Sequence, residues 1–280
     1  PIKSSAASDV YKRQMVNRGV EITLSGEIIR QKDFSWNASL LYAFNRNKVK
    51  HISVQPSLWD SRISMPTSYP MVGKPLYGIY AYKWAGLNEN GDPQVYDAEN
   101  NVTSGPARDY HALVYCGTTV PIHNASLTNV LRYKGLEFSA MLILDAGHKL
   151  RSSNIPSINM SNGRITSTAK GIVDRWTQPG DVTDVPRLLF SNDTENFNTH
   201  RTELYRYSDL FVYDASNIRL SNISLAYRVP AHWCKKISLS GARLQFNVEN
   251  VATFAFDSKA NYDLGGKVKP NYVWGLYLNF

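Results

Sequence analysis

The sequence predicts an all-β protein, an antiparallel transmembrane β-barrel segment with long loops, and three observations lead there. Stretches of about nine to twelve residues alternate apolar and polar side chains, the length a tilted barrel strand needs to cross a bilayer. No run of about 18 apolar residues occurs, which excludes a helical span and leaves a barrel, whose strands average out as unremarkable in hydropathy. The connections between the stretches alternate between short and long.

The first stretch, residues 19–30, places Val20, Ile22 and Leu24 on one face and Glu21, Thr23 and Ser25 on the other. Residues 34–45 place Phe34, Trp36, Ala38, Leu40, Tyr42 and Phe44 on one parity, against Ser35, Asn37, Ser39 and Asn45, and only Leu41 and Ala43 break the pattern. Residues 122–133 and 135–145 form an antiparallel hairpin, because little more than Lys134 separates them. Its second arm aligns Leu136, Phe138, Ala140, Leu142 and Leu144. Residues 216–229 carry Ile218 and Leu220 in one phase and Ile223, Leu225, Tyr227 and Val229 in the other, so a bulge is expected near Ser221 and Asn222. Residues 242–250 set Leu244, Phe246 and Val248 opposite Arg243, Gln245, Asn247 and Glu249, and residues 272–280 set Tyr272, Trp274, Leu276, Leu278 and Phe280 opposite Val273, Gly275, Tyr277 and Asn279.

The connections are short at 31–33, long from about 51 to 121, minimal at Lys134, long from about 147 to 215, short at 230–237 and long at 252–270. Short turns at one end and long loops at the other are the asymmetry of outer-membrane barrels. A soluble sandwich or propeller predicts connections of similar length at both ends.

Composition agrees. The 280 residues are 43% hydrophobic and 12% aromatic, too apolar for a disordered chain. The formal charge is +8, but Lys and Arg form no run longer than Lys235-Lys236 or Lys12-Arg13, which argues against nucleic acid; on a barrel they decorate rims facing anionic lipid. Residues 1–14 share no periodicity with the strand-like stretches, and 9–14 (DVYKRQ) resemble a translated adapter end, so they are set aside as a non-native leader and the barrel segment is taken as 15–280.

The sequence offers no enzyme chemistry. Six dispersed histidines lack metal-ligand spacing, there is no nucleophile elbow or phosphate-binding glycine loop, and Asp181 and Asp184 beside Pro179-Gly180 read as turn residues. No cofactor is expected. Cys116 and Cys234 read as two unpaired thiols, with one disulfide between them as the alternative in an oxidising compartment.

Several segments resemble a known family. Asn17-Arg18-Gly19-Val20-Glu21, Gly73-Lys74-Pro75, Trp84-Ala85-Gly86-Leu87 with Gly91-Asp92-Pro93, Arg175-Trp176-Thr177-Gln178-Pro179-Gly180-Asp181 with Pro186-Arg187, and Asp214-Ala215-Ser216-Asn217-Ile218-Arg219-Leu220 look, in this order, like the C-terminal half of SusC/RagA-type TonB-dependent receptors. Tyr227, Pro230, Asn250 and Phe280 extend the likeness over nearly all of 15–280. The resemblance implies roughly the last seven strands of a barrel of about 22, plugged by an N-terminal domain. It also implies a SusD-like surface lipoprotein as partner, energy from the TonB complex, and import of oligosaccharides or oligopeptides through a Gram-negative outer membrane. An alternative is a barrel that displays its loops for surface binding or adhesion without transport.

Within that reading, Tyr69, Tyr77, Tyr80, Tyr82, Trp84 and Trp176 are candidate substrate-loop aromatics, with ordinary hairpin or loop packing as the competing role. Trp36, Tyr42, Phe44, Tyr272 and Trp274 are expected in the aromatic girdles at the lipid headgroups. Phe280, ending an alternating strand, resembles the signal that such barrels present to their assembly machinery.

Overall fold

The structure is a computed structural model, and it describes residues 13–53, 61–105, 109–161, 164–165, 170–190, 199–265 and 269–280. Most of the set-aside leader, residues 1–12, lies outside these. Two compact units divide the chain. One comprises Arg18–Arg46, Pro121–His148 and Asp214–Phe280, and the other comprises Pro1–Asn17, Asn47–Val120 and Lys149–Tyr213.

Seven strands form one sheet in sequence order: β1 (Arg13–Arg30), β2 (Phe34–Ile52), β3 (His123–Tyr133), β4 (Leu136–Ala146), β5 (Asn217–Arg228), β6 (Gly241–Ala255) and β7 (Asn271–Asn279). Every expected strand is present, and β1, β2 and β6 run longer than their alternation suggested. From β2 to β7 each neighbouring pair is antiparallel. The β1–β2 turn closes with Gln31 N–H donating to Phe34 O at 2.8 Å, and the β3–β4 turn is Lys134-Gly135 alone, with Lys134 at a φ of 53°.

The register makes the faces explicit. Trp36 pairs with Leu131, Leu131 with Phe138, Phe138 with Leu225, Leu225 with Phe246 and Phe246 with Trp274. One apolar row therefore crosses six strands. A parallel row runs Leu40, Leu127, Leu142, Leu220, and directly paired side chains on one face are the unit of sheet stabilisation. The opposite face carries Asn37, Val130, Ser139, Ser224 and Asn247 in one row and Ser35, Arg132, Glu137, Ala226 and Gln245 in the next.

The bulge in β5 explains the phase change. Its register shifts between Leu220 and Asn222: against β4 the partner advances only from Leu142 to Met141, so Ser221 is an inserted residue, and against β6 the partner advances from Ala252 to Glu249, so β6 bulges at the same level. A one-residue insertion reverses parity, which keeps Ile218 and Leu220 on the same face as Ile223, Leu225 and Tyr227. A regular ladder that kept Ser221 in register would instead turn one half of the strand inside out.

The two long connections, expected as loops, fold into the second unit with cores of their own. Gly78–Tyr82 pairs antiparallel with Leu113–Thr118, and Trp84–Leu87, Pro93–Tyr96 and Val102–Thr103 form a three-stranded sheet. Asn159–Ser161 pairs antiparallel with Arg164–Ile165 and parallel with Leu189–Phe190. A helix spans Thr199–Arg206. Tyr80, Tyr82, Val95, Ala112, Leu113 and Leu204 form one core cluster, and Ile158, Tyr205 and Phe211 another. Among the described residues no helix is long and apolar enough to cross a membrane.

Candidate functional site

In the unit built from the long connections, the motif segments that lie far apart in sequence come together around Asp92. Asn88 shapes the turn that presents it, because its Oδ1 accepts from the N–H groups of Asn90 and Asp92, both at 2.9 Å. The Asp92 carboxylate then receives Arg187 through Nε at 3.1 Å and Nη2 at 2.8 Å, a bidentate fork, and Arg201 Nε at 3.1 Å. Arg201 is only 2% exposed. Its Nη1 donates to Ile158 O and Asn159 Oδ1, both at 3.1 Å, and its Nη2 to Arg187 O at 2.7 Å. Burial pulls the Arg201 guanidinium below its ordinary value, and the adjacent Asp92 charge opposes that shift. With four of its five N–H donors engaged inside the fold, this buried cation is a structural tie.

Trp84 and Trp176 extend the tie. Trp84 Nε1 donates to Asp184 Oδ1 at 2.8 Å and its backbone N–H to Asp209 Oδ1 at 2.9 Å. The Trp176 ring lies on Gly91, where an added Cβ would stand 2.4 Å from Trp176 Cδ2, and Gly91 also holds φ at +74°. Two independent reasons thus require glycine there. Asp181 acts as a turn residue, as expected, with Oδ2 accepting from Thr177 N–H and Oγ1 at 2.8 Å and Gln178 N–H at 3.1 Å. The hydrogen bonds from Thr177 hold its carboxyl below the usual range.

The six loop aromatics separate sharply. Tyr80 and Tyr82 are 1% and 0% exposed, so against the expectation of ligand contact they are core side chains. Tyr80 OH accepts from Met71 N–H at 3.0 Å, and burial raises its pKa. Tyr69 and Trp84 are half-buried, and Tyr77 is exposed. Trp176 is half-buried and borders an open cavity of about 680 Å³ together with Asn88, Asn90, Pro179, Gly180 and Asp181. An aromatic edge beside amide and carboxylate groups is the chemistry that holds a polar oligomer. The sequence drew attention to Trp176 but not to Asp92, Arg187 and Arg201 as a unit, since the last lies 109 positions from its partner.

In the sheet unit, the girdle candidates sort by row. Trp36 and Trp274 share the row described above, and Trp36 Nε1 donates to Asn129 Oδ1 at 3.1 Å. Tyr272 lies one row further, paired with Val248. Tyr42 and Phe44 gather around His123, with Tyr42 OH and His123 Nδ1 at 2.9 Å and the Phe44 and His123 ring centroids 5.3 Å apart. Phe246 stacks on Tyr272 with centroids 6.3 Å apart and packs at a tilt against Trp274 with centroids 4.3 Å apart. Six residues separate Trp36 from Tyr42, about 20 Å of strand at ~3.3 Å per residue. Trp274 is 79% exposed and Phe280 is also open. Cys116 and Cys234 are both free thiols.

No family model matches the chain. Curated relatives include TonB-dependent receptor P3 of Formosa agariphila, 24% identical over 94% of this chain and 27% of its own length, and TonB-dependent receptor P26 of the same organism, 25% identical over 81% and 23%. The chain therefore spans about a quarter of the length of these relatives. Among solved structures, the RagAB peptide transporter superposes with a TM-score of 0.71 at 21% identity, covering 96% of this chain and 30% of that one. The RagAB peptide importer in its closed-closed state gives 0.68 at 22%, covering 95% and 30%. The chain is thus similar to TonB-dependent receptors over most of its length and shares its fold with part of RagAB, in keeping with the SusC/RagA resemblance of its motifs.

Proposed function

We propose, from this kinship with TonB-dependent receptors, that the chain supplies wall strands and folded loops of an outer-membrane nutrient importer. The apolar row from Trp36 to Trp274 carries the reading. A contiguous open apolar face of this extent is rare against water, and a sheet in lipid must pair its backbone groups from strand to strand, as these strands do. In this reading β1 to β7 are about a third of a closed barrel of roughly 22 strands. The face bearing Glu137, Ser139 and Gln245 lines the lumen. The ~20 Å between the Trp36 and Tyr42 rows fits a lipid band of ~25 Å bounded by aromatic girdles.

The long connections stand outside the cell and bear the substrate contacts, with Trp176, Tyr77, Tyr69 and the rim of Trp84 as the accessible aromatics. The substrate is an oligosaccharide or an oligopeptide, a peptide being what the name of RagAB states for that protein. A SusD-like surface lipoprotein covers these loops, and the TonB complex drives uptake through a plug supplied by other parts of the whole protein. The test is uptake of labelled oligosaccharides and oligopeptides by cells carrying the intact protein, with TonB present or deleted. Uptake of one class that requires both TonB and the protein is expected. Recovery of the protein in the soluble fraction, or uptake unchanged without it, overturns the proposal.

A further inference from the structure

The polar face of the sheet holds an arrangement of charge that transport by an outer-membrane barrel does not require. In the ladder between β5 and β6, Arg228 stands directly opposite Arg243. Like charges directly opposed across two strands destabilise the pair, so the arrangement calls for a compensating anion. Among the described residues that line the adjoining cavity there is one carboxylate. Glu137 accepts Arg132 Nε on Oε2 at 2.7 Å and Arg243 Nη2 on Oε1 at 3.1 Å, which engages both of its oxygens. The Arg228 guanidinium has no partner among the described residues.

Geometry turns this surplus into a site. Arg132, Lys134, Arg228 and Arg243 line a cavity of about 180 Å³ with Glu137, Gly135 and Ala226. Ala226 pairs with Glu137 on one side and Gln245 on the other, and its small side chain leaves the floor of the cavity open. Gly135 sits at the tight β3–β4 turn, where an added Cβ would come within 2.7 Å of Arg228 O. At ~30 Å³ per water, the space holds one small anionic group and a few waters, not a sugar chain. Four cations face a single carboxylate, and three of them are arginines, whose planar forks match two oxygens at once.

The geometry points to an oxyanion site in this cavity, bound between Arg228 and Arg243 and completed by Arg132 and Lys134. The ligand is a carboxylate or a phosphoryl group, supplied by an acidic side chain of the same polypeptide lying on the polar face or by free phosphate. Either source presents two or more oxygens to the opposed arginines and removes their repulsion. This assignment goes beyond the transport proposal and stands on the sheet register and the cavity.

The two sources separate experimentally in the full-length protein purified in detergent. Carbodiimide coupling joins a carboxylate to an amine in contact with it, so Lys134 and the amine introduced by Arg228→Lys report a polypeptide source. The expected product links one of these positions to an Asp or Glu other than Glu137, located by mass spectrometry of the digest. Inorganic phosphate titrated by calorimetry reports the free-anion source, with saturable binding weakened about tenfold or more by Arg228→Ala, the loss of one charge-assisted contact. Coupling only to Glu137 together with no saturable phosphate binding overturns the site. Heat-modifiable migration is measured on every variant: its retention when the site fails leaves the barrel intact, and its loss in the parent protein counts against the transport proposal alone.

Discussion

The seven-stranded sheet and the unit built from the long connections hold together by different means. In the sheet every rung repeats the same rule, since a residue's parity sets its face and its register sets its neighbours, and no single contact decides the outcome. In the other unit a few long-range contacts decide nearly everything: Asp92 with Arg187 and Arg201, Trp176 on Gly91, and Trp84 with Asp184. Periodic structure tolerates point changes and fails when a strand is lost. Knotted structure does the reverse.

The largest expected effect comes from that contrast. Deleting residues 274–280 removes most of β7 and exposes the backbone groups of β6 that pair from Gly241 to Phe246, each costing several kcal/mol if left unpaired in lipid. Deleting seven residues at 259–265, outside the ladder, leaves every rung in place. The first deletion in the full-length protein should abolish outer-membrane accumulation and heat-modifiable migration, and the second should preserve both. Equal accumulation of the two would contradict a barrel-wall role for β7.

Asp92→Ala comes next, in the other unit. It strands Arg201, almost fully buried, and removes both guanidinium hydrogen bonds of Arg187, and removing one partner of a buried ion pair typically costs about 3 to 5 kcal/mol. Limited proteolysis should then cut within 83–190 while gel migration of the barrel stays unchanged. Simultaneous loss of both would show that the units are one cooperative structure.

Substitutions within the sheet discriminate between its faces. Phe246→Arg puts a charge on the apolar row and should cost about 2 to 4 kcal/mol near mid-bilayer, whereas Gln245→Arg on the opposite face should cost ~1 kcal/mol or less. Urea unfolding of the protein refolded into lipid measures both. Equal losses would remove the lipid-facing assignment.

The same difference in construction decided how much the sequence could reveal. Period-two alternation located all seven strands, and the phase change at Ser221 located the bulge, because each is a local signal repeated over many residues. The long connections carried no such repeat. Gly78–Tyr82 is buried on both faces, so the alternation of Tyr80 and Tyr82 looked like that of a half-exposed hairpin although both rings are interior. Asp92 and Asp181 sit in similar Gly- and Pro-flanked turns, yet Asp181 serves its own turn and Asp92 anchors two distant arginines. Only the fold, not the spacing, distinguishes them. Arg201 lies in the polar helix Thr199–Arg206, where an arginine ordinarily faces solvent, and its burial depends on a partner brought in by chain reversal.

The smallest effect tests the same contrast through the two thiols. Burial pushes the Cys116 thiol up from its ordinary value near 9.0 to about 11, with Asp209 adding to the shift and Arg151 and Lys149 opposing it. The raised value means that the folded state holds its proton more tightly. The stabilisation from this group is therefore complete below about pH 9 and falls away as pH rises towards 11. At pH 8 the thiolate fraction of Cys116 is then smaller than that of an open cysteine by roughly a hundredfold, and alkylation slows accordingly. Iodoacetamide labelling with detection by mass spectrometry should find Cys116 slow in the native protein and fast in urea. Cys234, buried in the sheet unit with its Sγ 3.8 Å from Val229 O, is shielded by a different set of contacts. Asp92→Ala should therefore accelerate labelling of Cys116 by loosening its own unit and leave Cys234 unchanged. Acceleration of both thiols together would mean that loss of the Asp92 tie spreads into the sheet, and the division of the molecule into a periodic wall and a separately knotted elaboration would have to be given up.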